Sequence, residues 1–149
     1  MTTQTPAELG SLDITAIKFG QAMTATSLAI AFVLDQWPLA AAIGSLNLFG
    51  SLAPRLNVMP RLYALATPIL KLRRRLIVDE PQPHRFAQGF SGTVTLAGWA
   101  LVAFGATVIG WSLALLVSAL AILNITVGFC AGCFTYLQLR RAGILGRAG

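Results

Sequence analysis

Charge is scarce in this chain: 11% of its 149 residues are Asp, Glu, Lys or Arg, against 56% hydrophobic residues and a mean hydropathy of +0.72. A soluble domain carries about 25% charged residues and 45–50% apolar ones, so a soluble globule of this composition could not cover its own surface. Acidic residues are rarer still, five against eleven basic. Two cysteines and one histidine exclude a disulfide-stapled secreted scaffold. They also leave too few ligands for a closed zinc or iron–sulfur site within one chain, so no metal or cofactor is expected. Length allows one domain, and the composition matches neither disorder nor collagen. An integral membrane protein remains.

A spanning helix needs roughly 20 predominantly apolar residues. Residues 86–139 contain no charged side chain over 54 positions, which as one helix would extend roughly 80 Å. The run must fold back. Gly110-Trp111-Ser112 is the expected reversal, with glycine permitting the turn and tryptophan suiting the headgroup level. Helices are then predicted over about 86–109 and 113–137. In the first half, apolar residues run over 14–34, broken by Lys18, and over 39–53, around the turn signal Asp35-Gln36-Trp37-Pro38. The stretch 39–53 is short for a span, so thinning or snorkelling is required; a re-entrant hairpin is the alternative. The expected fold is all-α, with four transmembrane helices in two antiparallel hairpins (14–54 and 86–139), a connector (55–85) and a basic tail (140–149).

The polar start, with Glu8 and Asp13, does not read as a signal peptide. Lys18 precedes the first span, seven basic residues lie between the second and third, and Arg140, Arg141 and Arg147 follow the fourth. That is every Lys and Arg on one side, and the positive-inside rule makes this side cytoplasmic, both termini included. In the connector, Leu62, Leu65 and Ala66 share a face, and Leu70, Leu72 and Leu76 alternate with Lys71 and Arg73–Arg75. It reads as an interfacial amphipathic helix against the bilayer, its cations near anionic lipid. Aromatic interleaving is nearly absent, so nucleic acid is not an expected partner.

The halves also resemble each other. Lys18-Phe19-Gly20-Gln21-Ala22 matches Arg85-Phe86-Ala87-Gln88-Gly89, each with an aspartate upstream (Asp13, Asp79). A tryptophan-bearing turn (Trp37, Trp111) and a helix with one asparagine (Asn47, Asn124) follow in each. This suggests a parallel repeat of hairpins about an axis along the membrane normal. Gln21 and Gln88 would face the interior, because a buried amide needs a partner.

Both cysteines fall in Gly128-Phe129-Cys130-Ala131-Gly132-Cys133. Cys-x-x-Cys spacing lets two thiols exchange a disulfide with a partner or carry soft ligands. On a continuous helix the pair would sit near the C-terminal end, where the dipole opposes a thiolate. Gly128 could relieve this by breaking the helix so that Cys130 starts a new one. Arg85 and Gln88 are the candidate thiolate supports. The inert alternative is a Gly-x-x-x-Gly packing face from Gly128 and Gly132.

Asp79 with Pro81 and Pro83, His84-Arg85-Phe86-Ala87-Gln88, and Asn124-x-x-x-Gly128-Phe129-Cys130-x-Gly132-Cys133 together resemble an uncharacterised family of bacterial four-helix membrane proteins, a domain of unknown function, over about residues 13–139. The first half departs from the family pattern at Ile14-Thr15 and Lys18. Members are often encoded beside thioredoxin-like proteins and thiosulfate sulfurtransferases. The resemblance therefore implies an inner-membrane protein doing thiol–disulfide or sulfane-sulfur work, Cys130 and Cys133 being the carriers and such proteins the partners. The alternative is an accessory or structural subunit of a larger membrane complex.

Overall fold

The computed structural model describes residues 10–144. They form β1 (Gly10–Asp13), α1 (Ile14–Val33), α2 (Trp37–Leu52), a 3₁₀ turn (Pro54–Leu56), α3 (Val58–Leu70), β2 (Leu76–Asp79), α4 (Pro81–Ala103), α5 (Thr107–Val127) and α6 (Ala131–Arg141). Helices α1, α2, α4 and α5 make a ring in which α1 touches α2 and α5, and α4 touches the same two. The architecture is all-α apart from one two-stranded antiparallel sheet.

Capping residues and small side chains set this arrangement. Asp13 caps α1, its Oδ1 accepting from the Thr15 N–H at 3.0 Å, a contact ordinarily contributing about 1 kcal/mol. Pro81 opens α4 at the first helical position, where no N–H is needed. Glycines then let helix backbones touch. A Cβ on Gly92 would lie 2.6 Å from the Leu48 nitrogen and 2.7 Å from the Gly44 oxygen of α2, and one on Gly98 would lie 2.8 Å from the Gly110 oxygen of α5. Such contacts let the helices pack backbone against backbone. Leu28, Ala31, Ala40, Trp111, Ala114 and Val117 form the central cluster. Thr24 and Asn47 bond across α1 and α2 at 3.2 Å, and the Ser118 hydroxyl donates to the Ala25 carbonyl at 3.3 Å.

Several boundaries differ from those read in the sequence. The second hairpin reverses at residues 104–106, where Gly105 has φ +88°, and Gly110 and Trp111 are buried inside α5. Gly110 is consumed by the α4–α5 crossing, and Gly105 makes the turn. Trp111 still reaches the turn end, its Nε1 donating to Asp35 Oδ1 at 3.2 Å. The expected helix over 113–137 is two helices, divided at Gly128–Cys130. The connector's helix ends at Leu70, where Lys71 turns left-handed (φ +48°). Leu76 belongs to a strand, whose register runs from Gly10↔Asp79 to Asp13↔Leu76. A backbone bond from Ile14 N–H to Arg75 O (3.0 Å) and one from the Arg75 N–H to the Asp13 side-chain Oδ1 (3.2 Å) fix the connector to the start of α1.

Repetition runs deeper than the sequence motif. The units are β1-α1-α2-α3 and β2-α4-α5-α6. Their turns have the same bonding: Leu34, Asp35 and Gln36 donate to Ile30, Phe32 and Ala31, as Phe104, Gly105 and Ala106 do to Ala100, Val102 and Leu101. Asp35 and Gly105 hold the left-handed position in each. Phe19 of α1 packs on Tyr63 of α3 at 5.7 Å, and Phe86 of α4 on Tyr136 of α6 at 5.5 Å. Lys18 donates to the Ile125 carbonyl near the end of α5, and Arg85 to the Ser51 carbonyl near the end of α2. Two pairings fail: Trp111 lies inside α5 while Trp37 begins α2, and Asn47 is mid-helix while Asn124 is in the last turn of α5.

Candidate functional site: a thiol pair at a helix corner

The corner between α5 and α6 is built by Gly128. It caps α5 in the left-handed region (φ +78°), its N–H donating to Asn124 O at 3.0 Å, a conformation glycine adopts without steric cost. Cys130 follows with extended backbone (φ −93°, ψ 102°) and is the N-cap of α6. Its Sγ accepts from the Cys133 N–H at 3.2 Å. Cys-x-x-Cys spacing is thus the N-cap-to-N3 spacing of a helix, with sulfur where serine or aspartate would supply oxygen. Gly128 and Gly132 lie on different elements, so they form no Gly-x-x-x-Gly face. The positive end of the α6 dipole is directed at Cys130.

Packing holds this corner to the start of α4. A Cβ on Gly132 would lie 2.5 Å from Ala87 Cβ, so only glycine lets α6 approach this closely. Glu80, buried, takes both oxygens to Arg140 Nη1 at 3.2 and 3.0 Å, and Tyr136 donates to Gln82 Oε1 at 2.9 Å.

The two sulfurs are electrostatically unlike. The Cys133 thiol, hydrogen-bonded to the Cys130 sulfur, pulls the Cys130 pKa down to about 7 against the opposing effect of burial, with the Cys133 and Gly132 backbone N–H groups adding to it. Cys133 is pushed well above the ordinary thiol range by that same bond, then by burial and by the charges of Cys130 and Asp79. One cysteine is therefore poised to ionise first, which is the division of labour an exchange reaction uses.

Arg85 and Gln88, the supports expected from the sequence, are engaged elsewhere. Arg85 Nη2 donates to Ser51 O at 3.0 Å and Gln88 Oε1 accepts from Asn57 Nδ2 at 3.4 Å. Gln21 is interior as expected, and its Oε1 is buried with no hydrogen-bond partner among the described residues. The α4 side chain that does reach the pair is His84, whose Nδ1 lies 3.7 Å from Cys133 Sγ. Its Nε2 lies 3.5 Å from Asp79 Oδ2.

The sequence profile described as "Domain of unknown function (DUF4395)" matches residues 12–141. The chain belongs to the DUF4395 family. The expected membership of a domain family of unknown function therefore holds. No curated protein and no solved structure matches the chain. In this DUF4395 member, sequence reasoning passed over His84 and Asp79 as site residues. The available signal was proline at positions 81 and 83, which starts α4 just ahead of His84 and sets it at the same end of the bundle as the cysteines.

Proposed function

We propose that this chain is a four-span protein of the bacterial inner membrane that performs thiol–disulfide exchange or carries sulfane sulfur through Cys130 and Cys133 at the cytoplasmic face. The observation that carries the chemistry is the Cys130 sulfur serving as N-cap acceptor of α6, with Cys133 at N3. That arrangement favours a thiolate on Cys130 beside a protonated Cys133.

Membrane residence rests on α1 and α5, each long and apolar enough to cross. α2 and α4 are read as crossing with them, because they share the ring and expose Phe49, Leu52, Phe90 and Trp99 outward. α2, with 16 residues, is roughly 24 Å long and requires local thinning. The ring end bearing the strands, α3 and α6 carries every described Lys and Arg, which favours a cytoplasmic position for it. On α3 the exposed face is apolar apart from Arg61, with Ala64, Leu65, Pro68 and Ile69, and Lys71 and Arg73–Arg75 follow. Anionic lipid is the proposed partner of that segment. The expected topology is read by single cysteines on a background lacking Cys130 and Cys133. Gln36→Cys and Ala106→Cys are labelled from the periplasm in intact cells, and Arg74→Cys only after permeabilisation; the reverse pattern would overturn the orientation.

In the exchange, the Cys130 thiolate attacks a partner disulfide, forming a Cys130–partner disulfide and releasing the partner's second sulfur as thiolate. Cys133 then attacks Cys130 Sγ, expels the remaining partner thiolate and leaves a Cys130–Cys133 disulfide. The partner is reduced by two electrons and the chain oxidised by two. For sulfane sulfur, the thiolate takes the terminal sulfur of a donor persulfide and releases the donor thiolate. Thioredoxin-like or sulfurtransferase proteins are the proposed partners. Cys133→Ser removes the second step, so the full-length variant in native membranes is expected to accumulate a reducible Cys130-linked adduct that Cys130→Ser lacks. Absence of any adduct in the first variant would sink the reading.

A further inference from the structure

His84 is the sole histidine of the chain, half-buried between two elements, and the exchange steps above make no use of it. Its neighbours are chemically matched. Nε2 faces Asp79 Oδ2 at 3.5 Å on one side, and Nδ1 faces Cys133 Sγ at 3.7 Å on the other. A carboxylate accepts only from N–H, so Asp79 selects the tautomer with the proton on Nε2 and leaves the Nδ1 lone pair toward the sulfur. We propose that His84 is the general base that takes the proton of Cys133 during resolution, with Asp79 as its positioning residue.

The proposal rests on the thiol-exchange reading and adds a step to it. While Cys130 is a free thiolate, the Cys133 thiol donates to it and needs no other acceptor. Once Cys130 is bound in a mixed disulfide, that acceptor loses its charge, and Cys133 must lose its proton before it can attack. The proton passes from Cys133 Sγ to His84 Nδ1, the sulfur's electron pair forms the bond to Cys130 Sγ, and the departing thiolate takes the displaced pair. The imidazolium so formed faces the Asp79 carboxylate. The neighbouring polar groups of α4 and α6 are engaged with other partners, Arg140 with Glu80, Tyr136 with Gln82 and Arg85 with Ser51.

The anchoring of both elements explains how a weak 3.7 Å contact becomes functional. Asp79 is the last residue of β2, fixed by pairing with Gly10, and its other oxygen, Oδ1, accepts from the Glu80 N–H at 2.8 Å. α6 is fixed on α4 by Gly132 against Ala87. The imidazole is thus held between two clamped ends, close enough to tighten onto the thiol when its other partner is withdrawn.

The test uses the detergent-solubilised full-length chain and 4,4′-dithiodipyridine, which releases one thiopyridone on capture by Cys130 and a second on resolution by Cys133. In the unsubstituted protein two thiopyridones appear. His84→Ala and His84→Gln are expected to leave the first release unchanged and slow the second about 100-fold, the lower end of general-base effects. Added imidazole should restore the second release in His84→Ala, and Asp79→Asn should slow it by a smaller factor. A second phase of unaltered rate in both His84 variants would overturn the proposal, as would slowing that imidazole does not relieve. Because the probe is a small disulfide, this result is independent of whether a protein partner is captured by Cys133→Ser in membranes.

Discussion

Alkylation of Cys130 is expected to titrate near pH 7, well below the value of about 8.5 for a free thiol. A half-ionised thiol at pH 7 carries roughly 15-fold more thiolate than one with a pKa of about 8.5, a gain partly offset by its lower intrinsic nucleophilicity. Removing the donor should undo this. The hydrogen bond from Cys133 is the largest cause of the lowering, and burial acts in the opposite direction, so Cys133→Ala leaves the burial penalty less opposed. The expected outcome is a shift of the midpoint to about 8.5 or higher and a loss of most of the rate at pH 7. Iodoacetamide labelling across roughly pH 5.5–9.5, followed by mass spectrometry, measures both. A midpoint already at about 8.5 in the unsubstituted protein would show that the helix-cap geometry does not activate the sulfur.

The second large effect is mechanical. Replacing Gly92 with alanine puts a methyl 2.6 Å from the Leu48 nitrogen and 2.7 Å from the Gly44 oxygen. Both obstacles are backbone, so neither can rotate away, and α2 must separate from α4. The expected loss is about 3 kcal/mol or more, the upper range for overpacking, despite alanine's helix preference of roughly 1 kcal/mol over glycine. A graded series isolates the cause. In Gly89→Ala the methyl meets chiefly the Ser51 hydroxyl at 2.6 Å, a side chain that can move, so a smaller loss is expected. In Gly20→Ala the nearest atoms belong to the Met59 side chain at 4.0 Å, and stability should be unchanged or slightly raised. Thermal unfolding of the purified chain in detergent ranks the three. Equal stability of Gly92→Ala and Gly20→Ala would refute the tight crossing.

Composition and helical patterning made the all-α class legible, because a run of 54 uncharged residues has few ways to fold. The turns were less legible. Gly110 and Gly105 are chemically the same residue, and only the packing partner decides which makes a turn and which makes a crossing. Gly110 faces Gly98, whereas a side chain at Gly105 would meet nothing within 4 Å. The strands were hidden for a related reason. Leu76–Asp79 is four residues long, and its partner Gly10–Asp13 lies far earlier in the chain, a pairing that local periodicity cannot report. For the site, the residues Cys130 and Cys133 were legible from spacing, and Gly128 signalled the break that turns them into a helix start. His84 was less so: the prolines place it at the start of α4, but only the fold brings it to 3.7 Å from sulfur.

The repetition of β-α-α-α units has one more consequence. Asn57 caps α3 through its side-chain oxygen, which accepts from the Met59 N–H at 3.1 Å, just as Cys130 caps α6 through sulfur. Met59 and Gly132 occupy the second position of their helices and lean on Gly20 and Ala87, themselves matching positions of α1 and α4. One copy of the corner thus holds an amide and the other a thiol on nearly the same frame. The molecule thus carries two versions of one helix corner, so the contribution of a side-chain cap to that corner's stability can be compared within a single chain.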